Sequence, residues 1–314
     1  MSESHPRLAA LVASARETVL ALAHHPRIGL VYPCDAMALE AAAHMVDAGI
    51  AQPVLVGPLG LMARAAEAAG IDLRRFESIA TAESGADAAA RATALARKGV
   101  VGALMKGSLH TDELMASVVR KDTGLRGTRR ISHAFVFDLP RYPKLLALAD
   151  CVVNISPDLA TKRDILCNAV RLLQHLGIAN PKVGIVAAVE LVNPAIPATL
   201  DAKALVDLAT LGEWPGAVVE GPFGFDNVIS AEAARIKKMV SQVAGEADLL
   251  LMPDLNAGNM LYKSFNYIGG GDCAGLVLGA QVPIILTSRA DSLQSRLASV
   301  ALAVLAMAPP GRYV

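Results

Sequence analysis

The sequence predicts an α/β protein with mainly parallel strands, and three observations lead to this fold class. Short runs of Val, Ile and Leu recur and are continuous rather than alternating, which is typical of strands buried on both faces. Ala-rich amphipathic stretches separate the runs, as helices do when they cross over between parallel strands. Aromatic residues are only 4% of the 314 residues, so aliphatic side chains must fill the core. At roughly 150 residues per domain, this length predicts two domains.

The apolar runs are predicted as strands because they are short, rich in β-branched residues and bounded by turn-forming residues. In chain order they are residues 28–32, 54–56, 100–105, 134–137, 151–155, 183–189, 218–220, 249–252, 276–278 and 283–286. Helices are predicted over residues 36–48, 84–98, 159–176, 201–211 and 292–307. Asp158 and Asp201 are interpreted as N-caps, because their side chains can accept a hydrogen bond from the first turn.

The predicted domain boundary lies after residue 138, where Pro140 and Pro143 interrupt the pattern that follows a strand. The chain is expected to return to the first domain near Gly279. The first α/β domain would then comprise residues 1–138 and 280–314, and the second residues 139–279.

Composition excludes several classes of function. Lys and Arg total 29, as do Asp and Glu, so the zero net charge argues against nucleic acid and against anionic membrane surfaces. The apolar run at residues 298–308 is too short to span a bilayer, and residues 1–10 lack the pattern of a signal peptide. The four cysteines form no C-x-x-C pair, which fits a reducing cytoplasm.

The densest polar segment follows the predicted strand at residues 249–252. Asp254, Asn256, Gly258, Asn259 and Lys263 lie where ligands bind in open α/β sheets, beyond the carboxyl end of a strand. Helix N-terminal amides favour anions there. A capped helix without a ligand remains the alternative, but two Asn, one Asp and a Gly exceed what a cap requires.

A second polar segment, L-T-S-R-A-D-S at residues 286–292, also follows a predicted strand. Arg289 suits bidentate recognition of phosphate. Ser288 could donate a hydrogen bond or act as a nucleophile, although a nucleophilic Ser needs a His base and none is nearby in sequence. A Ser/Asp helix cap with a surface Arg is the alternative.

Two further strand-end segments carry candidate ligand contacts. Lys106 and His110 flank Gly107, which permits close approach of a phosphate to the backbone. Asp226 ends a Gly/Pro turn and is either a cap or a ligand contact. Arg129 belongs to a basic cluster at residues 126–130 that either binds phosphate or is solvated. No zinc, EF-hand, Walker A or nucleophile-elbow motif is present.

Together these motifs resemble the phosphate acetyltransferase/phosphate butyryltransferase family. The two late segments are the specific ones, P-D-L-N-A-G-N at residues 253–259 with Y-K at 262–263, and L-T-S-R-A-D-S at 286–292. Weaker matches are G-P at 221–222 with F-D at 225–226, K-G at 106–107 with H-T at 110–111, and Q-P-V-L-V-G at 52–57. The residues at 286–292, together with R-I-S-H at 130–133, most resemble the butyryl-type branch of the family. They also resemble the transferase half of proteins that fuse an enoyl-CoA hydratase to a phosphate acetyltransferase.

The resemblance implies a fold like the isocitrate/isopropylmalate dehydrogenases, with two α/β domains and a cleft between them, in a homodimer. It implies the reaction acyl-CoA + phosphate = acyl phosphate + CoA for an acetyl or butyryl group, by direct thiolate attack in a ternary complex. Neither a metal nor a cofactor beyond these substrates is expected. By the resemblance, Ser288 stabilises charge developing on oxygen and Arg289 binds the phosphoryl group. Substrate contacts are expected from the residues singled out above, namely Asp254, Asn256, Gly258, Asn259, Lys263, Lys106, His110, Arg129 and Asp226.

The sequence departs from acetyl-type members at three places. Ser295 occupies the position of an Asp thought to be the base, and Ser117 and Leu39 stand at or near positions of arginines. Lys106, Arg129 or His110 would have to compensate for the lost phosphate contact. Two alternatives stay open: a non-catalytic sensor of CoA or acyl phosphate, and a metal- and NAD-dependent decarboxylating dehydrogenase, for which no suitable Asp pair is visible.

Overall fold

A computed structural model describes residues 5–287 and 291–307, and the chain divides into two compact units. Within the described residues, the N-terminal unit comprises residues 8–131, 274–287 and 291–307. The central unit comprises residues 5–7 and 132–273. Chain boundaries between the units therefore fall at 131/132 and 273/274, whereas the sequence predicted 138/139 and 279/280.

Strands and helices alternate along the described residues. The strands are β1 (Arg27–Val31), β2 (Gln52–Gly57), β3 (Glu77–Ala80), β4 (Ala103–Lys106), β5 (Ser132–Asp138), β6 (Leu146–Ala149), β7 (Lys182–Val186), β8 (Val218–Phe223), β9 (Leu249–Leu251), β10 (Asp272–Leu278) and β11 (Ile284–Ile285). The α-helices are α1 (Pro6–Leu20), α2 (Ala36–Asp47), α3 (Leu59–Ala69), α4 (Gly85–Arg97), α5 (Thr111–Val118), α6 (Leu159–His175), α7 (Pro197–Thr210), α8 (Phe225–Ile229), α9 (Ala231–Ile236), α10 (Leu255–Tyr267) and α11 (Leu293–Met307). The α/β class predicted from the sequence is confirmed.

The sheet of the N-terminal unit has the strand order β3-β2-β1-β4-β11-β10. Its strands are parallel except β10, which pairs antiparallel to β11. The chain winds outward from β1 to β2 and β3, then returns through α4 to β4 on the other side of β1. This reversal makes the carboxyl ends of β1 and β4 a topological switch point, where open α/β sheets bind ligands.

Small side chains let the helices of this unit lie close to the sheet. Ala88, Ala89 and Ala92 of α4 are fully buried against apolar side chains of the central strands, including Val31 and Leu104. Ser84 caps α4, because its hydroxyl accepts a hydrogen bond from the Asp87 amide. An Ala-rich sequence with few aromatic residues therefore builds this core from closely packed aliphatic layers.

The sheet of the central unit has the strand order β5-β6-β9-β7-β8. β5 is antiparallel to β6, and the other pairs are parallel. Its core is more aromatic, with Phe137 and Phe223 packed beside Leu148 and Leu250. The carboxyl ends of β6, β9, β7 and β8 share one edge, since these strands run in the same direction.

The predicted strand at residues 151–155 is wrong. These residues form a turn after β6, because the buried Asp150 carboxylate accepts hydrogen bonds from the amides of Val152 at 2.8 Å and Val153 at 3.0 Å. Backbone groups held this way cannot join a strand ladder. The strand is the preceding apolar run, Leu146–Ala149.

The predicted N-cap at Asp201 is also wrong. Helix α7 begins at Pro197, a residue favoured in a first turn because it has no amide hydrogen to leave unpaired. Asp201 lies one turn further on and forms an ion pair with the buried Lys162 of α6 at 2.6 Å. The N-cap at Asp158 is confirmed, since its carboxylate accepts from the Thr161 amide at 2.8 Å.

The remaining predicted elements overlap strands and helices of the structure, with shifted ends. The strand predicted at 183–189 ends at Val186, and the one predicted at 100–105 is Ala103–Lys106. Across the described residues, the helices are all too short or too polar to cross a bilayer.

Candidate functional site

A recess opens at the switch point of the N-terminal unit, where the loops after β1, β4 and β11 meet. Its lining combines one carboxylate and two cationic side chains with small apolar groups. The lining residues are Asp35, Met37, Ala38, Ala41, Met105, Lys106, Gly107, Thr287 and Arg296. Lys106, which the sequence predicts as a ligand contact, lines this recess, and its contact with a ligand stays a prediction.

Close backbone approach holds the loop after β4 against the loop after β1. The Gly107 amide donates to the Val31 carbonyl at 2.8 Å, and a Cβ on Gly107 would lie only 2.5 Å from that oxygen. Ser108 donates to the Tyr32 carbonyl at 2.8 Å, and its hydroxyl accepts from the Cys34 amide at 2.8 Å. Glycine is required at position 107 because a side chain would separate the two loops.

Tyr32 adopts a left-handed backbone conformation with φ 56° directly after β1. A non-glycine residue in this region is strained, and such residues cluster at functional sites. The two hydrogen bonds of Ser108 hold the residue in place and fix the turn that leads into Asp35.

Asp35 is the N-cap of α2, and its carboxylate accepts a hydrogen bond from the Ala38 amide at 2.8 Å. The N-terminus of α2 therefore lies at the recess, where the helix dipole favours an anion. Lys106 holds its ammonium group near the Gly107 and Leu109 carbonyls, at 3.4 and 3.3 Å. Together with Arg296, these groups favour an anionic ligand.

Cys34 lies in the same loop, but its thiol is no candidate nucleophile. Burial, and to a smaller extent the Asp35 carboxylate, raise the pKa of the Cys34 thiol to about 11. The thiol therefore stays protonated at neutral pH, whereas only a thiolate is strongly nucleophilic.

Other predicted contacts of this unit lie outside the lining of the recess. His110 is exposed at the N-cap of α5, and its amide donates to the Glu113 carboxylate at 2.9 Å. Arg129 is half-buried in the loop before β5. Ser288 and Arg289, the predicted catalytic pair, lie outside the described residues, directly after Thr287 of the recess.

In the central unit, most of the polar segment after β9 makes structural contacts. Asp254 caps α10 by accepting from the Ala257 amide at 3.0 Å. Asn259 donates to the Cys151 carbonyl at 3.2 Å. Gly258 is buried, and a Cβ there would lie 2.5 Å from the Asp150 carbonyl oxygen. These contacts dock α10 on the turn after β6.

Of the five predicted ligand contacts in this segment, Asn256 and Lys263 have exposed side chains. Asp226 lies in the first turn of α8, the helix that follows β8, and pairs with Lys237 at 3.2 Å in a network that also includes Glu190. Hydrogen bonding from Lys237 lowers the pKa of the Glu190 carboxyl. The predicted residues are thus distributed over both units, with Lys106 in the recess.

A buried polar cluster beside this segment was not predicted from the sequence. The Asp150 carboxylate accepts from the Asn154 side chain at 2.6 Å and from the His133 amide at 3.3 Å. The imidazole of His133 is buried, and its Nδ1 has no hydrogen-bond partner among the described residues. Burial lowers the pKa of His133, against a smaller opposing effect of Asp150. The sequence held one signal for this cluster, because Asp150 directly follows an apolar run and Asp favours turns.

No group of three or more His, Cys, Asp or Glu side chains in residues 5–287 and 291–307 is arranged to hold a metal ion. The structure defines an α/β protein with an anion-favouring recess at a topological switch point.

Comparison with known proteins identifies the family. Residues 75–304 match the family described as "Phosphate acetyl/butaryl transferase". The chain is 48% identical to a phosphate acetyltransferase of Rhizobium meliloti over 296 residues, covering 94% of this chain and 92% of that protein. It is 37% identical to a phosphate butyryltransferase of Clostridium acetobutylicum over 279 residues, covering 89% and 92%.

A solved structure agrees with these relatives. The crystal structure of a branched-chain phosphotransacylase from Enterococcus faecalis V583 superimposes with a TM-score of 0.79 at 27% identity, covering 90% of this chain and 99% of that chain. The chain belongs to the phosphate acetyl/butyryl transferase family. The predictions of this family and of a phosphate acyltransferase are confirmed.

Proposed function

We propose that this protein transfers a short acyl group, acetyl or butyryl, between CoA and inorganic phosphate, with the phosphate bound in the recess of the N-terminal unit. The proposed location of the phosphate site rests on one observation: Lys106, Thr287 and the N-terminus of α2 meet at the switch point. An ammonium group, a hydroxyl and helix-terminal amides are suited to phosphate oxygens.

In the proposed reaction, the sulfur of CoA attacks the carbonyl carbon of acyl phosphate after losing its proton. The bond from that carbon to the phosphate oxygen breaks, and phosphate leaves with the electron pair. The departing phosphate takes up a proton equivalent to the one lost by the thiol, so the products are the acyl thioester and inorganic phosphate. Negative charge accumulates on the carbonyl oxygen after the sulfur attacks and before phosphate leaves. A hydrogen-bond donor to that oxygen lowers the activation free energy by roughly 3–4 kcal/mol. By resemblance to the family, Ser288 is the donor and Arg289 binds the phosphoryl group. Both follow Thr287 in the chain, which places them next to the recess in sequence.

The central unit is proposed to contribute to CoA binding through Asn256 and Lys263, whose side chains are exposed. Asp254, Gly258 and Asn259 support that segment through the contacts that dock α10. The family resemblance further supports a dehydrogenase-like arrangement of two α/β domains. It also supports a homodimer, a cytoplasmic location and turnover without a cofactor, and these stay predictions.

The experiment is phosphate-dependent release of free CoA thiol from acyl-CoA, measured across chain lengths C2 to C6. We expect turnover of acetyl-CoA or butyryl-CoA that saturates with phosphate and disappears when phosphate is omitted. Acyl phosphate should accumulate in equal amount to the released thiol. Binding of acetyl-CoA without thiol release would contradict the proposal and favour the sensor function.

A further inference from the structure

The recess contains a second cation that the sequence did not indicate as a ligand contact. We propose that Arg296 of α11 is a phosphate-binding residue that acts together with Lys106; this inference deepens the proposed function and rests on it. The resemblance left a second phosphate contact missing, because Ser117 and Leu39 stand near the places of two arginines. Arg296 lines the recess from a different element, α11, and brings a guanidinium group to the same ligand.

The register of α11 explains why Arg296, and not its neighbour, reaches the recess. Ser295 is only 4% exposed and lies on the buried face of α11. One turn later, Ser299 donates to the Ser295 carbonyl at 2.8 Å and accepts from the Gly275 amide of β10 at 3.0 Å. These bonds fix the rotation of α11 against the sheet. The half-buried Arg296 is thereby directed to the recess, beside Met37 of α2.

The guanidinium of Arg296 is a group that binds phosphate well. One guanidinium nitrogen is in contact with the Met37 sulfur. A thioether is a weak hydrogen-bond acceptor, whereas a phosphate oxygen forms a short charge-assisted bond and can accept bidentately from an arginine. Met37 is unbranched and adaptable, so it can yield this position to a ligand.

The charge of the lining fits inorganic phosphate. Lys106 and Arg296 supply two positive charges, and the N-terminus of α2 adds the positive end of a helix dipole. Asp35 contributes one negative charge, and one of its oxygens is engaged by the Ala38 amide. Inorganic phosphate carries up to two negative charges at neutral pH, which two cations can balance.

The test compares Michaelis constants for the two substrates in the full-length protein. Arg296→Gln should raise the KM for inorganic phosphate at least tenfold and change the KM for acyl-CoA less than twofold. Arg296→Lys keeps the charge and the aliphatic stem, so it should restore most of the phosphate affinity. Arg91→Gln, on the exposed face of α4, is the matched control and should behave as wild type. A phosphate KM within twofold of wild type in Arg296→Gln, or an equal rise in both KM values, would overturn the proposal.

A binding measurement separates this inference from the proposed function. Failure of the wild-type protein to release CoA would refute the function but leave phosphate binding to be measured. Inorganic phosphate should raise the Tm of the wild type and of Arg91→Gln, and should raise that of Arg296→Gln much less. Equal phosphate-induced shifts in all three proteins would refute the role of Arg296, even if the transferase reaction occurs. If Arg296→Gln does not fold, Arg296→Met, which keeps an unbranched side chain without the charge, is compared with the wild type by the same Tm shift. A much smaller phosphate-induced shift supports the proposal, and an unchanged shift overturns it.

Discussion

The strand-end loops of the two units use similar residues for different tasks. In the N-terminal unit, the polar side chains after β1 and β4 line a recess. In the central unit, Asp254 and Asn259 after β9 make hydrogen bonds to the protein itself, and Gly258 provides close packing. A motif that identifies a family therefore contains residues that position the site as well as residues that contact the ligand.

Gly107→Ala is expected to have the largest effect on activity. The added Cβ would lie 2.5 Å from the Val31 carbonyl oxygen, so the loop carrying Lys106 must move. Misplacement of binding groups by about 1 Å can cost about a hundredfold in rate, and we expect a fall of that size in kcat/KM. Gly60→Ala is the control, since a Cβ there meets nothing within 4 Å. Near wild-type kinetics of Gly107→Ala would show that the recess is not the site.

Gly258→Ala should act on stability first. Its Cβ would lie 2.5 Å from the Asp150 carbonyl oxygen, a backbone atom that cannot rotate away. We expect the free energy of unfolding to fall by about 1–3 kcal/mol, the usual cost of overpacking. Urea denaturation measures this change. A phosphate KM raised tenfold with unchanged stability would contradict the structural role assigned to Gly258.

His133 should make stability of the central unit depend on pH. Its pKa is lowered in the folded protein by burial, so below about pH 6.5 the unfolded chain binds a proton that the folded chain does not. Stability is therefore complete above that pH and is lost as the pH falls towards the folded pKa. Between pH 7 and 5 we expect a loss of about 1–2 kcal/mol that His133→Gln removes. Parallel pH profiles of denaturation for the two proteins would refute this account.

Asp254→Ala should have the smallest effect of the four changes. Loss of an N-cap costs about 1 kcal/mol of stability, and the phosphate KM should stay within twofold of wild type. Asp254→Asn keeps a capping oxygen and is the matched control. A large rise in the phosphate KM for both variants would place Asp254 in the phosphate site and remove the contrast between the two units.

Continuous apolar runs were enough to predict the α/β class and most buried strands. β3 was missed because three of its four residues are exposed, so its sequence has no apolar run. The strand predicted at 151–155 failed because side-chain bonds from Asp150 outweigh the β propensity of Val152 and Val153. In each case a local hydrogen bond or an edge position outweighed the intrinsic preference of the residues.

The candidate site was predictable only where a motif follows a strand directly. Lys106 ends β4, and strand ends are where ligands bind in this class of fold. Arg296 lies within a helix, and its direction depends on how α11 is rotated against β10, which rests on the contact between Ser299 and Gly275. Such a long-range contact leaves no local pattern in the sequence.

The central claim is that phosphate binds in the recess of the N-terminal unit, and Lys106→Ala tests it most directly. Charge-assisted hydrogen bonds are worth about 1.5–3 kcal/mol, so the KM for phosphate should rise at least about tenfold while that for acyl-CoA stays nearly constant. Lys98→Ala, at the exposed end of α4, controls for the general loss of a positive charge. An unchanged phosphate KM in Lys106→Ala would contradict the account and move the phosphate site away from the recess.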